Sequence, residues 1–208
     1  QQVTINDKNK IVFGVSYRES DVDSNYIPYG QNIQINNYKN NVDNISLFIN
    51  DNWEFAPSWT LNAGVRYDDH SEAGDDTTLS FGINKKFDNN SHLYFNWSEV
   101  FKAPTLDDLY YNSYTEYLGT KYYMYGNTNL KPETGDTWTI GYSTTVDNKT
   151  NIGINYFESN LENAISWEYI NSNDQQAKNI AEQEKRGLEL TFNHKLNDHM
   201  ELEASYTY

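Results

Sequence analysis

Asp68, Asp69, His70, Glu72, Asp75 and Asp76 crowd one short stretch of the chain. Hard cations such as calcium take several carboxylate oxygens, but this spacing fits no EF-hand loop. A solvated acidic loop is the plainer reading. His70, His92, His194 and His199 are scattered and form neither an HExxH pair nor a triad. Cysteine is absent, which excludes a disulfide framework and a thiolate metal site. No glycine-rich phosphate loop occurs, and no Ser, His and acid constellation has convincing spacing for catalysis. The expectation is therefore a protein with no catalytic residues, no metal site and no cofactor, and not an enzyme. The asparagines of Asn44-Ile-Ser, Asn96-Trp-Ser and Asn148-Lys-Thr match a glycosylation sequon, which by itself assigns no function. The densest chemical feature is aromatic. Tyr110, Tyr111, Tyr114, Tyr117, Tyr122, Tyr123 and Tyr125 fall within one segment of about thirty residues bracketed by Pro104 and Pro132. Rigid amphipathic rings make good binding surface at low entropy cost. Ligand contact and loop-on-loop packing both remain open for them.

Alternation positions these residues. Apolar and polar residues alternate with period two over 11–18, 44–55, 59–68, 77–87, 92–101, 136–147, 150–158, 187–196 and 199–208, the pattern of half-buried strands. In the third segment Trp59, Leu61, Ala63, Val65 and Tyr67 share one face, and Thr60, Asn62, Gly64, Arg66 and Asp68 the other. Helical periodicity competes only near 104–110 and 175–186. The connections alternate in length. Short ones at 56–58, 88–91, 148–149 and 197–198 consist of turn formers. Long ones are expected at 19–43, 69–76, 102–135 and 159–186. The last has room for an extra hairpin, Ala164 to Ile170 pairing with Asn179 to Gln183. Tight turns at one end and long loops at the other describe an up-and-down antiparallel barrel of the outer-membrane type.

Three features turn the apolar face toward lipid rather than a dry core. The polar face carries mid-strand charges at Arg66, Lys86, Glu189, Glu201 and Glu203, which a wet lumen tolerates. Aromatics crowd the strand ends: Trp53, Phe55, Trp59, Tyr67, Phe87, Trp97, Phe101, Trp138 and Tyr156. The loops are long and polar for a compact soluble domain. Gly14, Gly64, Gly82, Gly141 and Gly153 fall on the polar face, where they give room to lumen contents or ease curvature. A mean hydropathy of -0.85 leaves no apolar run long enough for a transmembrane helix. The net charge of -15 argues against nucleic acid as a partner. Gln1 opens the chain with no signal segment. The expected fold is thus all-β, a partial transmembrane barrel of about nine to ten antiparallel strands. Nine strands cannot close on themselves, so residues 1–208 are expected to be a fragment of a larger barrel. Folded alone, its open edges would favour dimers or aggregates.

From Asn96 to Tyr142 the chain reads NWSEVFKAPTLDDLYY…YGNTNLKPETGDTWTIGY. This resembles the barrel of the TonB-dependent receptor family. Phe101, Lys102, Ala103 and Pro104 match its strand-ending motif, and Leu109 and Tyr110 its Leu-Tyr stretch. Gly126, Asn127, Asn129, Leu130, Lys131, Pro132 and Glu133 match its Gly-Asn-Pro-Asn-Leu-Lys-Pro-Glu, with Thr128 in place of the usual proline. WEFAPSWTLNAGVRYDDH at 53–70 and NIAEQEKRGLELTFNHKL at 179–196 resemble further family segments. Pro104 and Pro132 cannot donate to a ladder, so these motifs also read as structural corners.

The resemblance implies an outer-membrane receptor that captures a scarce nutrient, a ferric siderophore or cobalamin, and imports it with energy from the TonB complex. That complex acts through a plug domain, which is expected to lie outside this chain. Haem receptors of the family carry a His between the two motifs. None lies between Pro104 and Asn127 here, although tyrosine also ligates haem iron. A haem receptor and a non-transport barrel, adhesive or structural, stand as alternatives.

Overall fold

A computed structural model describes the chain except for residues 27–34, 89 and 148. Parts of three expected connections, at 19–43, 88–91 and 148–149, and the sequon asparagine Asn148 therefore lie outside the described residues. Ten strands form one antiparallel sheet in sequence order. They are β1 (Gln2–Asn6), β2 (Asn9–Tyr26), β3 (Ile35–Ala56), β4 (Trp59–His70), β5 (Gly74–Lys86), β6 (Ser91–Lys102), β9 (Glu133–Val146), β10 (Thr150–Glu162), β13 (Glu182–Asn197) and β14 (Met200–Thr207). A second sheet, built from loop residues, orders β11 (Ile165–Tyr169), β12 (Gln175–Asn179), β8 (Thr120–Tyr125) and β7 (Asn112–Tyr117). The one helix among the described residues is α1 (Leu106–Tyr110).

All nine expected strands are present, and β1 makes a tenth. A run of five residues is too short for alternation to stand out. Strand limits differ more. β2 and β3 run far into 19–43, and β4 and β5 continue to His70 and Gly74, leaving only 71–73 as a turn. Beyond the lipid both faces of a strand meet water, so the hydropathy alternation fades while the hydrogen-bond ladder goes on. The helical tendency at 175–186 is overridden by β12 and β13, whereas 104–110 does contain α1. The extra hairpin exists as β11 and β12, but Ile165–Tyr169 pairs with Gln175–Asn179 rather than with 179–183.

Register makes the two faces continuous. Val65 lies between Ile49 and Leu79, and Phe95 between Ile83 and Ile140. Further round, Ile154 lies between Tyr142 and Leu190. The opposite face runs through Asn50, Gly64, Ser80, Ser98 and Thr137. On the polar face a Cβ at Gly64 would stand 2.2 Å from the Asn50 Oδ1, and one at Gly141 2.2 Å from the Asn155 Oδ1. These carboxamides lie across the neighbouring strand, and glycine is what leaves them room. Tight turns join the strands at one end, with left-handed backbone at Ser58, Asn90 and Asp147.

Among the described residues, none covers the apolar face. Val15 is 72% exposed and Leu47 50%. Among the described residues the buried apolar side chains are Val42, Pro104, Leu109, Leu130, Ala164 and Ala177, and only Val42 lies in the large sheet. A soluble domain of this size would bury a core; here the apolar belt needs lipid instead, at about 1.5–3 kcal/mol for each large side chain covered. Trp53, Phe55, Trp59 and Phe87 edge the belt at the turn end, and Tyr17 and Tyr67 edge it toward the loops. Asp51, bonded by the Asn9 side chain at 3.2 Å, interrupts the belt near its turn-end rim.

Leu47→Arg places a charge within the belt and should cost about 2–4 kcal/mol. Urea unfolding of the lipid-refolded receptor measures it. A stability unchanged within error would exclude lipid from this face.

Candidate functional site: the loop-end basin and its roof

At the loop end the polar face hollows into a basin of about 510 Å³. Its wall carries Arg18 and Ser20 from β2, Asn44 from β3, Arg66 and Asp68 from β4, and Lys102 at the end of β6. Strand parity aims these side chains inward, because Arg18 follows Gly14 and Ser16 and Arg66 follows Gly64. The ladder sets Ser46 opposite Asp68, and a dense network results. The Arg66 guanidinium donates to both Asp68 carboxylate oxygens, at 2.6 and 2.9 Å, and to the Ser46 Oγ at 2.6 Å. The Ser46 hydroxyl and the Asn44 amide donate to the same carboxylate at 2.7 and 2.8 Å. Such charge-assisted bonds hold Arg66 in one pose. Arg18 forms no ion pair among the described residues. The Asn44 Oδ1 is buried there without a hydrogen-bond partner.

The residues of the two motifs build a roof beside this basin. Pro104 is buried and ends the β6 ladder. Thr105 caps α1: its Oγ1 accepts from the Asp108 amide at 3.1 Å, and Asp108 accepts in return from the Thr105 amide at 3.0 Å. That places Leu109 against Leu130 and Ala177 in a small core, with Tyr110, Ile165 and Trp167 packed around it. Gly126 passes so close that a Cβ would stand 2.4 Å from the Leu109 carbonyl carbon. Asn127 donates to the Ala177 carbonyl at 3.1 Å and accepts from the Asn129 amide at 3.0 Å. Asn179 accepts from the Lys131 amide at 2.8 Å and donates to the carbonyls of Lys131 and Asn163, at 2.9 and 2.6 Å. Glu133, 5% exposed, accepts from Lys102 Nζ at 2.5 Å and from the Ile165 amide at 2.7 Å. The long loops 103–132 and 163–181 are thus joined at their bases. Ala103 and Pro132 are half-buried at the two ends of the first loop. Phe101 lies on the same side of β6 as Trp97, and its residue also borders the basin.

The tyrosines divide. Tyr111 packs edge-on to Trp167 and Tyr38, and Tyr110 packs on the small core. Tyr114, Tyr123 and Tyr125 form a ladder with centroids 5.4 and 5.6 Å apart, and Lys121 Nζ lies 4.4 Å over the Tyr114 ring. Tyr117 is 65% exposed at the β7–β8 tip, with Tyr122 near it. The β2–β3 hairpin reaches the roof through the Tyr38 hydroxyl, which donates to Asp107. Burial and that carboxylate push the Tyr38 pKa above its ordinary value.

The acidic stretch is divided among local tasks. Asp68 serves Arg66, Asp76 accepts from the Thr77 amide at 2.8 Å, and the His70 Nδ1 accepts from the Glu72 and Ala73 amides at 3.2 Å each. No metal-ligating cluster occurs among the described residues. Sequence reasoning passed over Arg18, Tyr38 and Ala177, and read Asn44 and Ser46 only as a sequon. The parity of Arg18 was readable; the meeting of Ser46 with Asp68 depends on register.

The family model of the TonB-dependent receptor-like β-barrel matches residues 1–208. The chain belongs to the TonB-dependent receptor family. The ferric enterobactin receptor of Pseudomonas aeruginosa is 28% identical over 183 residues, covering 78% of this chain and 24% of its own length. The vitamin B12 transporter BtuB of Photobacterium profundum is 27% identical over 153 residues, 72% of this chain and 23% of its own. The chain thus spans about a quarter of the length of these curated relatives. Among solved structures, the siderophore receptor PirA of Pseudomonas aeruginosa superposes with a TM-score of 0.79 at 22% identity, over 96% of this chain and 39% of that one. The hemophore receptor HasR of Serratia marcescens gives 0.80 at 14% identity, over 100% and 40%. At such identities these superpositions establish the fold: ten strands of a TonB-dependent receptor barrel, with the family motifs at the foot of its loops.

Two substitutions probe the roof. Glu133→Ala leaves Lys102 and the Ile165 amide without their acceptor and should cost about 1–3 kcal/mol. Leu109→Ala should cost about 2–5 kcal/mol of local stability. In both variants, limited proteolysis of the folded receptor should cut loops 103–132 and 163–181 faster while the barrel stays intact. Unchanged cleavage would show that the roof does not depend on these contacts.

Proposed function

We propose that this chain is part of the barrel of an outer-membrane receptor that captures a ferric siderophore or cobalamin at the cell surface and imports it with energy from the TonB complex. It acts as a binder and transporter rather than an enzyme. The observation that carries this reading is the basin: three cationic side chains, Arg18, Arg66 and Lys102, converge on the lumen face at the loop end of a chain whose net charge is -15. Asp68 neutralises Arg66 and Glu133 neutralises Lys102, so Arg18 is the cation left for a ligand. An anionic chelate answers that charge better than a neutral vitamin does. This favours the ferric siderophore, the class named in the ferric enterobactin relative. The corners at Phe101–Pro104 and Asn127–Glu133 hold the roof beside the basin, and the Tyr114, Tyr123 and Tyr125 ladder, with Tyr117 and Tyr122, offers aromatic surface for first contact. Tyr110 and Tyr111 serve the roof's packing as well. Energy coupling runs through a plug domain of the receptor, which contacts the TonB complex.

Tryptophan-fluorescence titration of the full-length receptor with a ferric catecholate, a ferric hydroxamate and cobalamin tests this. Saturable quenching by one ferric chelate is expected, with affinity lowered about tenfold or more in Arg18→Ala, the loss of one charge-assisted contact. Tight cobalamin binding insensitive to Arg18→Ala would move the substrate to the vitamin. Silence toward every ligand would favour a non-transport barrel.

A further inference from the structure

We infer that Lys85 and the aromatic rings around it form a binding site for the phosphate of an anionic phospholipid at the turn-end rim of the belt. Lys85 is on the outward face of β5, directly opposite Trp59 on β4 and Leu93 on β6. Its Nζ lies 5.1 Å from the Trp59 ring centroid and 6.0 Å from that of Phe87. Phe55 and Trp53 continue the aromatic wall, with centroid spacings of 6.2 and 5.9 Å. Two residues up the same face stands Ile83 and then Phe81, inside the belt; below Phe87 the chain turns. The ammonium therefore sits where hydrocarbon gives way to headgroups, on the side opposite the long loops.

The aromatic wall orients the lysine but leaves its charge without an anion. The ion pairs among the described residues join Lys39 to Asp23, Arg66 to Asp68, Lys102 to Glu133 and Lys195 to Asp198. Asp88, in the adjoining turn, does not reach Lys85. The next lysine, Lys86, points to the polar face, where it stands opposite His92. A cation held over aromatic faces keeps its attraction for a further anion, and the anion present at that depth is a lipid phosphate. In a zwitterionic lipid the headgroup ammonium competes with Lys85 for the phosphate. In a phosphatidylglycerol-type diester nothing does, so the site selects the anionic lipid. The acyl chains of that lipid then lie over Ile83, Leu61 and Leu93.

This inference rests on the membrane reading of the sheet, and the test separates the two. The full-length receptor is reconstituted in nanodiscs of phosphatidylcholine doped with brominated phosphatidylglycerol or, in parallel, brominated phosphatidylcholine, and quenching of its tryptophans is followed. Wild type should show about fivefold stronger local enrichment of the anionic lipid, the effect of one lysine at a membrane surface. Lys85→Gln should abolish the enrichment and Lys85→Arg should keep it. Equal enrichment in wild type and Lys85→Gln overturns the site while leaving the membrane reading intact. Loss of enrichment in millimolar inorganic phosphate shows a free-anion site and overturns the lipid assignment. Failure of the folded receptor to enter the bilayer overturns both.

Discussion

A backbone that crosses hydrocarbon has no water to bond with, so each amide and carbonyl must find its partner in a neighbouring strand. The ten-strand ladder meets that demand for its inner strands, while β1 and β14 pair on one side only, and most other features depend on it. Because side chains alternate with period two, a ladder in constant register sorts every residue onto one of two faces. One slip of register would move Val65 inward and Arg66 into lipid. The matching of Ile49, Val65 and Leu79 across three strands is what keeps the belt apolar and the lumen wet. It also explains why the sheet lacks a core: in lipid the solvent itself covers the apolar side.

Charge is confined by the same geometry. Arg66 and Asp68 are bearable only because both point away from the belt and satisfy each other together with Ser46 and Asn44. A carboxylate as sheltered as Asp68 would be costly without those donors. Glu133 plays the corresponding part at the loop base, where one carboxylate ties the end of β6 to the start of β11. Since both networks are completed by backbone amides or by neutral side chains as well as by cations, they act as fixed scaffolding around Arg18 rather than as exchangeable ion pairs.

The loops follow a different physics from the strands. Above the membrane the second sheet includes a parallel pairing between β8 and β12, which no short hairpin can make. It forms because loops 103–132 and 163–181 are brought together by Asn127, Asn179 and the Leu109, Leu130 and Ala177 core. Binding loops usually lose entropy on engaging a ligand. On the proposed reading, joining loops 103–132 and 163–181 beforehand would reduce that cost, and strand β3 adds a lighter tether through Tyr38 and Asp107.

Much of this was legible in the residues alone. Alternation gave nine of the ten strands of the large sheet, because inside lipid hydropathy and strand parity carry the same information. The mid-strand charges, aromatic strand ends and long loops turned the apolar face to lipid, while the long connection expected at 69–76 is a turn of three residues. The motifs from Phe101 to Pro104 and from Gly126 to Glu133 announced the loop's corners, since proline ends a ladder wherever it falls. Where strands leave the membrane that coupling is lost: 19–26 and 35–43 are polar on both faces, so only the ladder could place them in β2 and β3. β1 was too short to register. The sequence likewise held Arg18, the Asn44–Ser46 pair and Asp68 far apart, and Asn127 fifty residues from Ala177. Only tertiary structure could bring them together, because strand register and loop contacts are set by pairing between distant segments and not by any local preference of the chain.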